Sequence, residues 1–121
     1  MTWRYSRPLQ RGFPAVDLAL MPIGPIRPER EMLPNHLNPA QALEASQILG
    51  AKHMLPIHFG TFINSFDEPG EVEAAFSKAL AARGTSAPEA AILRIGEQRV
   101  YRYRSGAGTD SSNTGIVATT P

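Results

Sequence analysis

The run Lys52-His53-Met54-Leu55-Pro56-Ile57-His58-Phe59-Gly60-Thr61-Phe62 constrains the fold more than any other stretch of this chain. Its apolar part is short and stops at a glycine, so it reads as a strand ending at the rim of a sheet. Alternation along a strand sends successive side chains to opposite faces, which groups His58 with Met54 and His53 with Leu55 and Ile57. A histidine followed closely by glycine presents an imidazole with little bulk beside it. Rims of this kind are where metal ligands and substrates meet in layered α/β proteins. Spacing alone leaves His58 open between that role and an ordinary hydrogen-bonded histidine at a strand end.

The flanking segments repeat the pattern of strand, loop and helix. Ala15-Val16-Asp17-Leu18-Ala19-Leu20-Met21 is a second short apolar run, set between Pro14 and Pro22. It predicts a strand over 16–22, with Asp17 either hydrogen-bonded at its start or marking a functional rim. Gly24, Pro25, Pro28 and Pro34 deny residues 24–38 any sustained helix, and the loop ends in Asn35-His36. A helix then starts on strong signals: Asn38 at the N-cap, Pro39 at the first helical position and Gln41 completing a capping box. Ala42, Ala45 and Leu49 line one face, and Gly50 ends the helix, giving 39–49. His36 therefore precedes a helix N-terminus, whose positive dipole end favours anions.

Beyond the central strand, Asn64, Asp67 and Pro69 mark a second loop. Val72, Ala75, Phe76, Ala79 and Leu80 recur at helical spacing and predict a helix over 71–83, stopped by Gly84. Residues 91–95 and 99–103 read as a hairpin across Gly96-Glu97-Gln98. Arg99, Tyr101, Arg102 and Tyr103 in its second arm allow two readings: aromatics stacking on RNA bases, or the wet face of a charged edge strand. Residues 1–13 form a polar, Arg-rich lead-in, 14–104 the folded segment and 105–121 a disordered tail rich in Ser, Gly and Thr.

Composition excludes several classes. The chain has 121 residues, enough for one small domain at most. Its net charge of +1 requires no nucleic-acid or acidic partner. With no cysteine, any metal must rely on histidine and carboxylates. No apolar stretch approaches the roughly 20 residues of a transmembrane segment. Arg4, Arg7 and Arg11 precede the first acid, Asp17, as in transit peptides, but three arginines are a weak case and cytoplasm is the default.

Three blocks carry a resemblance: Asp17-Leu18-Ala19-Leu20-Met21-Pro22-Ile23-Gly24, then Asn35-His36-Leu37-Asn38-Pro39-Ala40-Gln41-Ala42, then Ile57-His58-Phe59-Gly60-Thr61-Phe62. In order and spacing they resemble the C-terminal portion of a metallo-β-lactamase-fold hydrolase. The similarity is greatest to the branch of N-acyl phosphatidylethanolamine-hydrolysing phospholipase D, and more distant to the L-ascorbate-6-phosphate lactonases. The resemblance implies an α/β fold, the C-terminal half of an αββα sandwich. It implies that His58 is a ligand of one of two zinc ions and that His36 lies beside the substrate and assists proton transfer. Gly60 and Thr61 would shape the substrate pocket, while His53 matches no functional position. The implied substrates are phosphodiester lipids or lactones, attacked by a metal-bound hydroxide.

The family's remaining ligands come mostly from a His-x-His-x-Asp-His run in its N-terminal half. No such run occurs among the three histidines here. A catalytic zinc site needs at least three protein ligands and an open position. The expectation is a chain inactive alone, whose exposed sheet promotes self-association and whose metal site is completed by an N-terminal half in trans. The alternatives are a binding or assembly module completing a site with a second polypeptide, and a small RNA-binding domain.

Overall fold

Residues 16–102 are described by a computed structural model. Two crossovers build it, each carrying the chain from one strand through a helix to a parallel neighbour. Strand β1 (Leu18–Pro22) is followed by a single helical turn α1 (Glu29–Met32) and helix α2 (Pro39–Ile48). Strand β2 (His53–Ile57) leads to helix α3 (Glu71–Arg83), a 3-10 turn (Gly84–Ser86) and the short strand β3 (Glu89–Ala90). The sheet order is β1-β2-β3, with both pairs parallel. This is a mixed α/β fold consistent with part of a metallo-β-lactamase-type sandwich.

Local chemistry explains α2. The Asn38 side chain accepts from the Gln41 N–H at 2.9 Å, and the Gln41 side chain accepts from the Asn38 N–H at 3.0 Å. Pro39 occupies the first turn, where its missing N–H costs nothing. At the other end Gly50 takes φ +66°, with Gly50 N–H donating to the Gln47 carbonyl and Ala51 N–H to the Ser46 carbonyl. That paired closure is a Schellman motif, and it turns the chain directly into β2. Ser46, fully buried, donates its hydroxyl to the Ala42 carbonyl at 3.0 Å, so no polar group is stranded there.

The register decides where the core lies. Ala19 sits opposite Met54, Met21 opposite Pro56, and Ala90 opposite Met54 on the other side. This face packs with Ile23, Leu37, Ala42, Leu43, Val72 and Phe76, so both long helices cover it. The opposite face carries Leu18, Leu20, Leu55 and Ile57, of which Leu20 is 56% and Ile57 40% exposed.

One expectation changes and two open readings are narrowed. Residues 91–102 form no hairpin; β3 lies earlier, at Glu89–Ala90, and pairs parallel to the start of β2 through Glu89 N–H and the Lys52 carbonyl. The physical reason is direction: the chain returns from α3 beside β2 and running the same way, so it adds a parallel edge. The turn of the expected hairpin does form, with Gly96 at φ +83° and Glu97 N–H donating to the Arg94 carbonyl at 2.9 Å. Asp17 is no rim residue. It meets Lys52 at 3.0 Å where β1 begins, at the end of the sheet opposite His58. Tyr101 packs on His53, with ring centroids 5.2 Å apart, which takes it from the set of bases-stacking aromatics. The 1–13 lead-in, the 105–121 tail and Tyr103 lie outside the described residues.

Replacing the α2 cap should weaken the whole domain, since α2 supplies Ala42 and Leu43 to the core. Asn38→Ala is expected to lower stability by about 1 kcal/mol. The check is a urea titration, with the midpoint falling and the slope unchanged.

Candidate functional site

β1 and β2 end level with each other, Pro22 opposite Ile57, and the ladder continues one step with Ile23 N–H donating to the Ile57 carbonyl at 3.1 Å. The candidate site stands on this rim. Gly24 lets the outgoing chain nest against α3: a Cβ there would lie 3.1 Å from a Val72 methyl and 3.8 Å from the His58 carbonyl oxygen. Side chains any larger would push the β1 exit away from the β2 exit.

His58 leaves the strand. Its φ is +61°, the left-handed region, and it is the one described residue other than glycine with positive φ. Such a conformation costs a non-glycine residue roughly 1–2 kcal/mol, and residues held there cluster at functional sites. The strand alternation that groups His58 with Met54 therefore fails. Met54 is fully buried and His58 is exposed, because alternation holds only while the backbone stays extended.

His36 arrives from the α1–α2 connection. Its N–H donates to the Met32 carbonyl at 2.8 Å, and its neighbours Leu37 and Asn38 are a core residue and the α2 cap. So held, its ring stacks on that of His58, with centroids 5.6 Å apart and planes within 9°. The sequence pair is thus one spatial pair. The His36 Nδ1 is buried and has no hydrogen-bond partner, an arrangement native proteins rarely tolerate without a reason.

Gly60 follows at φ +67°, and a Cβ there would meet the Glu73 carboxylate at 3.3 Å. Thr61 turns its hydroxyl back to the Phe59 carbonyl at 3.3 Å, so it braces its own loop. His53 lies at the far end of β2, 3.4 Å from Glu89 and against Tyr101, apart from the pair.

Sequence reasoning missed what holds the rim together. The Asp67 carboxylate accepts the Ile26 N–H at 2.9 Å, the Arg27 N–H at 2.8 Å and the Ser65 hydroxyl at 3.0 Å. Phe66 N–H returns a bond to the Arg27 carbonyl, and the Arg27 guanidinium meets Glu71 at 2.6 Å. The only local trace of this clasp is Ser65-x-Asp67, a pattern common in turns. A groove of about 360 Å³ lies nearby between α1, α2 and α3, lined by Ile26, Leu33, Pro39, Ala75 and Ala79 and edged by Arg27 and Glu71. Neither histidine lines it.

Among the described residues no three His, Cys, Asp or Glu side chains group as a metal-ion site. The histidine pair does not make one either. An imidazole binds a metal in its ring plane, and two stacked, nearly parallel planes share no such point. In this arrangement the two rings do not converge on one ion.

Comparison with known proteins agrees with a lipid-hydrolase relation over part of the chain. No protein-family model matches. Over 57 residues, 45% of this chain, it is 42% identical to the mitochondrial N-acyl-phosphatidylethanolamine-hydrolyzing phospholipase D of Saccharomyces cerevisiae. Over 46 residues, 38% of the chain, it is 39% identical to N-acyl-phosphatidylethanolamine-hydrolyzing phospholipase D 1 of Caenorhabditis elegans. The matched segments span 12% and 13% of those relatives. No described helix is long and apolar enough to cross a membrane.

The strain at His58 is open to direct measurement. His58→Gly should be more stable than His58→Ala by about 1 kcal/mol, the reverse of the usual order, because glycine enters the left-handed region freely. Paired denaturant titrations of the two variants read the difference.

Proposed function

We propose that this chain is the C-terminal portion of a metal-dependent hydrolase that cleaves the phosphodiester of an N-acyl phosphatidylethanolamine-like lipid. The observation that carries the reading is the stacked His36–His58 pair at the carboxyl ends of two parallel strands. It coincides with partial identity to two phospholipases D. Their names favour a phosphodiester over a lactone.

Within this reading the residues divide the work. His58 offers a nitrogen to one zinc ion, and the left-handed backbone turns that imidazole off the strand. His36 stands on the substrate side, stacked on the ligand ring without competing for the ion, and holds or passes a proton next to the scissile phosphate. Gly60 keeps the wall of the pocket low beside Glu73, and Thr61 stiffens the same turn. When bound, zinc supplies Lewis acidity and lowers the pKa of its water.

The described residues fall short of the three ligands that a catalytic zinc needs. The rest must come from an N-terminal half, on a second polypeptide or in a longer chain, and the 14–104 segment is the part that docks with it. The uncovered sheet face bearing Leu20 and Ile57 suits such a contact, and self-association is its other outlet. Tyr101, occupied by His53, gives RNA binding no support. Cytoplasm is retained as the working location, although the yeast relative is named as mitochondrial; imaging of a fluorescent fusion decides between them.

The 121-residue chain alone should retain no stoichiometric zinc after dialysis and hydrolyse no N-acyl phosphatidylethanolamine. Co-expression with the part of the yeast relative that precedes its matched segment should restore both. His58→Ala should then remove most of the recovered zinc at one site and most of the activity. One zinc per lone chain, released by His58→Ala, would show a complete site in this segment and sink the proposal.

A further inference from the structure

The loop leaving the histidine rim is apolar and stands in solvent. Phe62 is 81% exposed, Ile63 100% and Phe66 71%. Three large apolar side chains within five residues are an uncommon surface feature and mark an interaction site. From Phe59 to Phe66 the loop carries no charged residue. Its base is fixed, because Phe66 N–H bonds to the Arg27 carbonyl and the neighbouring Asp67 clasps Ile26 and Arg27. Part of the loop's polar inventory is answered internally, by Asn64 N–H on the Phe62 carbonyl and the Thr61 hydroxyl on the Phe59 carbonyl. The tip therefore enters an apolar medium with less desolvation of backbone groups than an open loop would pay.

We propose that Phe62, Ile63 and Phe66 dock this protein on the surface of a phospholipid bilayer, beside the rim that carries His36 and His58. The inference rests on the lipid-hydrolase reading for its choice of occupant, since a lipid substrate must be met where it lies. A charge-free, protruding tip fits the interfacial zone of a bilayer, where aromatic and aliphatic side chains enter and charged ones do not. The charges behind the tip, Asp67, Glu68, Glu71 and Glu73, are acidic, and the one cation among them, Arg27, has its guanidinium taken up by Glu71. They offer nothing to an anionic lipid, so the attachment is apolar, reversible and largely independent of salt. Phe62 follows His58 by four residues, so docking would bring the pair to headgroup level without a membrane-spanning segment.

Flotation of the full 121-residue chain with neutral phosphatidylcholine vesicles tests this without any activity. A fraction of the chain should float, nearly unchanged between 50 mM and 500 mM salt, as the absence of loop charge requires. Each of Phe62→Ser, Ile63→Ser and Phe66→Ser should lower the partition coefficient by about tenfold, the scale for losing one large apolar side chain. The triple variant should remain at the bottom while its far-ultraviolet circular dichroism stays native. Leu20→Ser, on the open sheet face, and His58→Ala should float like the parent. Failure of the parent chain to float, flotation abolished by salt, or a triple variant that floats normally would overturn the proposal. So would a triple variant that only converts a dimer to a monomer, which would make the loop an interface between copies. Flotation that persists while the reconstituted protein shows no hydrolysis would defeat the hydrolase reading and leave the docking loop standing.

Discussion

Asp67 accepts the backbone N–H groups of Ile26 and Arg27 and the Ser65 hydroxyl, and so ties the chain leaving β1 to the chain leaving β2. Its side chain is only 8% exposed, so the carboxylate itself is largely shielded from water. Hydrogen bonds to a charged acceptor contribute about 1.5–3 kcal/mol each. The exposed Arg27–Glu71 ion pair adds no more than about 1 kcal/mol. Against this stands the cost of a left-handed histidine, roughly 1–2 kcal/mol. The clasp is the larger quantity, and it holds the two chain exits together on the rim where His58 takes a conformation its own backbone disfavours.

The two histidines reach each other by different routes, and the routes suit different tasks. His58 is swung off a strand end and exposed, which is how a side chain is offered to something outside the segment. His36 is braced between a helical turn, the buried Leu37 and the Asn38 cap, which is how a ring is held still. Stacking keeps their planes nearly parallel, so the two rings do not converge on a single ion. The uncovered side of the sheet and the apolar loop after Phe59 lie on the same half-built frame.

What was legible in the sequence depended on range. The Asn38-Pro39-Ala40-Gln41 start and the Gly50 stop are local chemistry, and α2 lies within one residue of its expected bounds. The strands at β1 and β2 were visible because short apolar runs bounded by proline and glycine leave little choice. The edge beyond Ala90 was not. Ala91-Ile92-Leu93-Arg94-Ile95 suits a strand or plain extended chain equally, and pairing was decided by how α3 returns. His36 and His58 were legible as a pair through the resemblance, whereas the bend at His58 was not. A Cβ on Gly24 would lie 3.8 Å from the His58 carbonyl oxygen, an approach that only the folded chain makes. The clasp itself joins residues 40 and 41 positions apart, beyond any local pattern.

The central claim is that the stacked pair divides one site between metal and substrate. Measuring zinc content and turnover together for His36→Ala, in the chain reconstituted with the N-terminal part of the yeast relative, tests it most directly. Full zinc occupancy with turnover slowed at least tenfold is expected. Zinc lost in proportion to activity would contradict it, because His36 would then be holding the metal.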